Sequence, residues 1–144
     1  EMIGAIGERA LPKPVGRHAA ERLGRDESGR LVDGVLRAEI ARFEVDEAAF
    51  RAWMRMAGEQ ARAGEAIGAL SSALKYYGAE LNKRRWELMM AIDGADALEW
   101  EGDRSQEGAA ARTWLRTKAN SIEGGTSEGQ RNVVAKRILG LPGA

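Results

Sequence analysis

The residues best suited to bind a ligand form one short run near the end of the 144-residue chain, Gly124-Gly125-Thr126-Ser127-Glu128. Two glycines permit backbone angles that other residues avoid, and the two hydroxyls can cap the start of a helix. Glu128 would stand at the positive end of that helix, where backbone N–H groups favour a phosphate, a hydroxyl or a ring carbonyl. The run therefore predicts a ligand-binding loop that leads into a helix over residues 131–139.

Composition excludes several other kinds of chemistry. The chain has no cysteine, and its single histidine, His18, has no second histidine with which to share a metal. No Gly-Lys-Ser/Thr sequence follows a glycine loop, so a P-loop is absent, and a Ser-His or Cys-His nucleophile pair lacks its parts. We therefore expect no metal site, and we expect His18 to face solvent on a helix surface.

The charges balance, with 22 basic and 22 acidic residues. A neutral chain offers no net field for nucleic acid or an anionic membrane, and no apolar run approaches the roughly 20 residues that span a bilayer. The N-terminus also lacks the basic-then-apolar pattern of a secretion signal. We expect a cytoplasmic protein without a membrane span or a nucleic-acid partner. The basic run Lys83-Arg84-Arg85 fits a solvated helix face better than a phosphate site.

Apolar residues recur at intervals of three and four along most of the chain, and no stretch alternates with period two. This pattern predicts helices and no strands. Asp33 and Gly64 mark the start and end of the longest helix, and Gly94 marks the end of the next. An opening helix at residues 1–10 is interrupted by Pro12 and Pro14. The predicted helices that follow span residues 15–23, 33–63, 70–92, 109–119 and 131–139.

These segments predict one all-α domain over residues 1–144, an antiparallel bundle of four to five helices. The acidic connection at residues 93–111 has no periodicity and is typical of a functional or disordered loop. Tyr76, Tyr77 and the four tryptophans fall at helical spacing, which favours packing over an aromatic ligand box. We expect the core to include Leu36, Ile40, Phe43, Leu74, Leu81 and Ile138, with Val134 and Leu141 on the same side as Ile138.

Three sequence runs resemble the C-terminal domain of the acyl-CoA dehydrogenases. The Gly124–Glu128 run comes first, followed by Gln130-Arg131-Asn132 and then by Arg137-Ile-Leu-Gly-Leu-Pro142, in the family's order and spacing. Residues 24–37, Gly-Arg-Asp-Glu-Ser-Gly-Arg-Leu-Val-Asp-Gly-Val-Leu-Arg, resemble the same domain in bacterial members. The resemblance covers nearly the whole chain, and it implies a helical domain of a flavoprotein.

The resemblance also implies a cofactor and its contacts. Family members use FAD to convert an acyl-CoA thioester into a trans-2-enoyl-CoA, with a protein base removing the α proton. The family's FAD contacts fall on Gly125, Thr126 and Glu128 in this sequence. A family arginine that reaches the FAD pyrophosphate of a neighbouring subunit falls on Arg25, although Ser28-Gly29 replaces the family's Phe-Gly.

The catalytic base is unknown. One branch of the family places a glutamate where this chain has Gly124, and Glu123 lies one position too early. A second branch places its base on the first helix of the domain, near Glu1. The remaining alternative is that no residue of this chain is the base.

The resemblance further implies that residues 1–144 are a piece of a longer flavoprotein, without its N-terminal helical and β domains and inactive alone. It implies a homo- or hetero-oligomer of dehydrogenase subunits, for which apolar faces with Trp53, Trp86 and Met89 are suitable. A non-catalytic helical interaction or structural subunit on the same fold is the alternative. An acyl-CoA oxidase stays open as well, and the acyl chain is not indicated by these residues.

Overall fold

The computed structural model describes residues 13–105 and 107–142. Those residues form five α-helices and no strand, so the prediction of an all-α bundle is confirmed. Every one of these helices is too short or too polar to cross a membrane. The predicted helix at residues 1–10 and the candidate base Glu1 lie outside the described residues. The helices are α1 (Val15–Leu23), α2 (Gly34–Arg62), α3 (Leu70–Asp93), α4 (Ala109–Lys118) and α5 (Ser127–Arg137).

Local capping signals account for the bounds of the two long helices. The Asp33 carboxylate accepts hydrogen bonds of 2.9 Å from the backbone N–H groups of Val35 and Leu36, which are unpaired within the first turn of α2. Gly64 lies just beyond the end of α2 and Gly94 just beyond α3, and both adopt positive φ angles, 79° and 60°. The helices predicted from these caps therefore agree with the structure to within one residue at each end.

Helix α3 is the centre of the bundle, because it contacts each of the other four α-helices. Helix α3 runs antiparallel to α2. Asp46 pairs with Arg84 at 2.7 Å, whereas Phe50, further along α2, packs against Tyr77, which lies earlier on α3, with ring centroids 5.8 Å apart. A β-carbon on Gly78 would lie 2.9 Å from the Phe50 ring, so glycine permits the two helices to approach closely here.

The hydrophobic core lies between α1, α2 and α3. Of the predicted core residues, Leu36, Ile40, Phe43, Leu74 and Leu81 are buried as expected. Ile138 was predicted to be buried and this is wrong, since it is 45% exposed. The reason is that α5 ends at Arg137, so Ile138 and the exposed Leu141 no longer follow the helical face that carries Val134. The core cluster consists of Val15, Ala19, Leu31, Leu36, Ile40, Phe43, Leu81, Leu88 and Ile92.

The described residues between α3 and α4 include short 3₁₀ turns at Gly94–Leu98 and Asp103–Ser105. The Ser105 hydroxyl donates to the Gly102 carbonyl at 2.9 Å and accepts from the Gly108 N–H at 3.0 Å. The Arg112 guanidinium lies 4.0 Å from the centroid of the Trp100 ring. Short turns and side-chain contacts, rather than a long helix, form this segment, which explains why its apolar residues have no regular spacing.

Two expectations about basic side chains need correction. His18 does not simply face solvent: its side chain is 24% exposed, and its Nε2 lies 2.7 Å from Asp93 Oδ1, because α1 packs against the end of α3. The run at residues 83–85 is not uniformly solvated, because Arg85 is only 7% exposed. Arg85 follows Leu81 by one helical turn and therefore lies on the buried side of α3, where it pairs with Glu47 of α2.

Candidate functional site

The 124–128 loop begins with two glycines that both require a left-handed backbone. Gly124 has φ 64° and Gly125 has φ 98°, a region that other residues rarely adopt. A β-carbon on Gly125 would also lie 2.5 Å from Gln130 Nε2, the group that folds back to donate to the Gly124 carbonyl at 3.1 Å. The backbone conformation thus requires glycine at position 125, and a β-carbon there would also displace the Gln130 side chain from its contact with Gly124.

The three residues after the glycines have distinct environments. The Thr126 hydroxyl accepts from the Gly129 N–H at 3.0 Å, so its predicted capping role is confirmed. Ser127 was expected to share that role, but it is 5% exposed and turns inward, donating to Glu80 at 3.3 Å. Glu128 lies in the first turn of α5 with 72% of its side chain exposed. Because Thr126 is the cap, α5 begins at Ser127, four residues before the predicted start.

Polar side chains of α3 hold the segment that leads into the loop. Lys75 Nζ donates to the carbonyl oxygen of Asn120, at 3.1 Å, and to that of Gly125. The Asn82 side-chain amide donates to Asn120 Oδ1 at 2.8 Å, and Lys83 Nζ donates to the Ser121 hydroxyl at 2.6 Å. The residues before the glycine pair, and Gly125 itself, are therefore bonded to the central helix of the bundle.

Sequence reasoning missed this set of polar residues on α3. The signal that could have revealed it is spacing: Lys75, Asn82 and Lys83 stand at i, i+7 and i+8, which places them on one helical face. That face adjoins the stripe of Leu74, Leu81 and Leu88, which the apolar pattern does identify.

Glu123, the carboxylate nearest the glycine pair, is occupied by structural contacts. Its two oxygens accept from Arg116, at 2.7 Å, and from the Asn120 side chain. Hydrogen bonds from Arg116, which has the larger effect, and from Asn120 lower the pKa of Glu123 below its ordinary value. A general base needs a free oxygen and a pKa near the working pH, so this carboxylate is poorly suited to proton abstraction.

Arg25 lies in a different part of the fold. It is exposed in the turn after α1, where its guanidinium donates to the Gly29 carbonyl at 2.7 Å. Within residues 13–105 and 107–142, no hydrogen bond or ion pair joins Arg25 to the 124–128 loop. The structure thus brings Gly125, Thr126 and Glu128 together and keeps Arg25 apart from them.

The 124–128 loop is an open surface rather than a closed pocket. Residues 122–126 and Glu128 are exposed, and only Ser127 is buried. One side of a polar site is formed here by the glycine pair, the Thr126 hydroxyl and the Glu128 carboxylate, at the start of an 11-residue helix.

The model of the family described as "Acyl-CoA dehydrogenase, C-terminal domain" matches residues 13–139, which include all of these features. The chain belongs to the acyl-CoA dehydrogenase family. Over 56 residues, this acyl-CoA dehydrogenase domain is 39% identical to acyl-CoA dehydrogenase IpdE1 of Mycolicibacterium smegmatis. The matched segment covers 39% of the chain and 14% of that relative.

A solved structure has a similar fold over most of the chain. The ChsE4-ChsE5 complex from Mycobacterium tuberculosis contains a chain with a TM-score of 0.68 and 25% sequence identity. The likeness covers 94% of this chain and 37% of that one, so the domain spans well under two thirds of the related chain.

Proposed function

We propose that this domain works within a longer, cytoplasmic FAD-dependent acyl-CoA dehydrogenase, where the 124–128 loop forms one side of the FAD site. The observation that carries the proposal is the combination of a fixed loop with exposed polar groups. The Thr126 cap and the Lys75 contacts hold the backbone, while the Thr126 hydroxyl and the Glu128 carboxylate remain accessible.

The residues present fit such a cofactor. Thr126 Oγ1 accepts from Gly129, which leaves the hydroxyl proton free to donate to a cofactor oxygen or nitrogen. Glu128 provides an acceptor for a cofactor hydroxyl or N–H, and Gly125 allows the cofactor to approach the backbone closely. When bound, FAD supplies the hydride acceptor for α,β-dehydrogenation of an acyl-CoA to a trans-2-enoyl-CoA.

The separation of Arg25 from the loop suits a site completed between subunits. An arginine on one subunit could reach the FAD pyrophosphate held by the 124–128 loop of its neighbour, because guanidinium groups bind phosphate oxygens well. The related ChsE4-ChsE5 structure is a complex of two different proteins. We therefore propose an oligomer of dehydrogenase subunits, with either identical or different partners.

A non-catalytic role for this subunit is the second candidate, favoured by the environment of Glu123. Gly124 has no side chain to act as the base, and Arg116 engages the neighbouring carboxylate. A full-length protein that binds FAD but leaves the flavin oxidised under excess acyl-CoA would support this candidate. Reduction of the bound flavin by an acyl-CoA would support the dehydrogenase.

The cofactor contacts can be tested in the full-length protein with Thr126→Ala and Glu128→Ala. Each change removes one polar contact, so FAD affinity should fall by about 0.5–1.5 kcal/mol, or more where a charge is involved. The measurement is the FAD dissociation constant from titration of flavin-free protein, set against its melting temperature.

The comparison with folding is needed because both residues also stabilise the start of α5. Asn132→Ala, an exposed position on the same helix, is the matched control and should leave FAD affinity unchanged. If both loop variants bind FAD as tightly as the parent, the 124–128 loop is only a helix connection and the assignment of the site is wrong.

A further inference from the structure

Lys75 bonds to two backbone carbonyls near the glycine pair Gly124-Gly125. Its ammonium group donates to the Asn120 carbonyl before the pair and to the Gly125 carbonyl within it. These contacts span 45 and 50 residues of sequence, and Lys75 itself lies on the central helix α3. Ser127, on the other side of Thr126, bonds to Glu80 of the same helix at 3.3 Å. Lys75 is therefore the α3 side chain that holds the glycine pair itself.

The other polar contacts of this region do not have the same effect. Gln130 donates to the Gly124 carbonyl, but it belongs to α5 and so does not join the loop to α3. Asn82 and Lys83 contact residues 120 and 121, several residues before the cofactor contacts begin. Of these side chains, Lys75 is the one on α3 that bonds directly to the residue preceding Thr126.

A lysine suits this position for two physical reasons. An ammonium group has three donors and no acceptor, so it can bond two carbonyls that face the same space. Its charge also adds to the positive end of α5, which begins two residues after Gly125.

We propose that Lys75 is a positioning residue that sets where Thr126 and Glu128 meet FAD. This inference rests on the proposed function, because it assigns Lys75 to the cofactor site described above. Lys75 acts through the Gly125 carbonyl and need not touch the cofactor itself.

The experiment uses the full-length protein with Lys75→Met, which keeps an apolar stem of similar length but removes the donors. FAD affinity should fall about tenfold, the size expected for loss of a charged hydrogen bond that fixes the site. The absorption band of the bound flavin should also shift, because its polar contacts move. Lys75→Arg, which retains charge and several donors, should recover most of the affinity.

Arg84→Met is the matched control. Arg84 lies nine residues further along α3, about 14 Å away at 1.5 Å per residue. Its guanidinium pairs with Asp46 of α2 at 2.7 Å. Within residues 13–105 and 107–142, it makes no hydrogen bond or ion pair with the 124–128 loop. We expect similar melting temperatures for the Arg84→Met and Lys75→Met apoproteins, with weakened FAD binding only in the latter.

The outcomes separate this inference from the proposed function. If Thr126→Ala and Glu128→Ala weaken FAD binding but Lys75→Met does not, the role of Lys75 alone is wrong. If none of the three changes weakens FAD binding, the assignment of the FAD site itself is wrong. Should Lys75→Met not fold, Lys75→Gln replaces it, since its nitrogen stops one bond short of the lysine nitrogen. Parental affinity and an unshifted flavin band in that variant would overturn the inference.

Discussion

Replacing Glu47 with alanine should destabilise the domain far more than removing its partner Arg85. The two side chains form an ion pair between α2 and α3 in which the Arg85 side chain is 8% exposed and the Glu47 side chain 17%. Removing one partner of a buried pair usually costs about 3–5 kcal/mol, because the other charge is left uncompensated. The two partners differ in what would remain to compensate them.

In Glu47→Ala, the buried guanidinium keeps only neutral neighbours among the contacts seen here. These are the Lys13 carbonyl, at 3.0 Å from Arg85 NH1, and the Phe43 ring, whose centroid is 5.4 Å away. Because those contacts and the slight exposure offset part of the penalty, we expect a loss of about 2–4 kcal/mol.

In Arg85→Met, Glu47 keeps its second ion pair with Arg51, at 3.1 Å, and the methionine can pack beside Phe43. The expected cost is therefore only about 0.5–1.5 kcal/mol. The double variant should lose less than the sum of the two single changes, because the only charge left without its partner is that of Arg51, whose side chain is 40% exposed.

Equilibrium unfolding of the 144-residue chain in urea, followed by helical circular dichroism, measures these differences. Unchanged m-values in each variant would show that free energies of unfolding can be compared. The reasoning is refuted if Arg85→Met costs as much as Glu47→Ala, or if the two costs simply add.

Two further predictions concern the hydrophobic core and the loss of stability at low pH. Phe43→Ala should cost about 3–5 kcal/mol in urea unfolding because Phe43 is fully buried, whereas Val45→Ala, at a site 70% exposed, should stay within about 0.5 kcal/mol; similar losses would contradict the assigned core. Hydrogen bonding by Arg116 lowers the pKa of Glu123 below its ordinary value of 4.5, so its stabilisation is present above that pH and is lost as the pH falls through the lowered pKa. Glu123→Gln should therefore flatten the fall in urea midpoint between about pH 5 and about pH 3, while Glu65→Gln, at an exposed loop position, should leave it as in the parent.

The parts of the fold that were predictable depend on local signals. Asp33 caps the residues that directly follow it, and Gly64 ends the same helix, so the sequence alone locates α2. The Thr126 cap is local in the same sense and contacts a residue only three positions away. Ile138 was misplaced because the apolar pattern continues past Arg137, where the helix stops.

The features that sequence reasoning missed depend on contacts between distant parts of the chain. Lys75 and Gly125 are 50 positions apart, and Arg85 and Glu47 are 38 apart. A single helix shows which residues share a face, but it does not show which neighbouring element will cover a polar face. For the same reason His18 could not be assigned to Asp93, which is 75 positions away.

The two sides of α3 differ in how they resist local opening. Towards α1 and α2, the helix is packed by the large apolar cluster around Phe43. Towards α4 and α5, the buried residues include Ala111, Thr117 and Ser127, which are small or polar. Such side chains remove less apolar surface from water, so opening of this second layer should cost less free energy. A ligand that binds the 124–128 loop only while α5 is packed on α3 would therefore stabilise this weaker layer first.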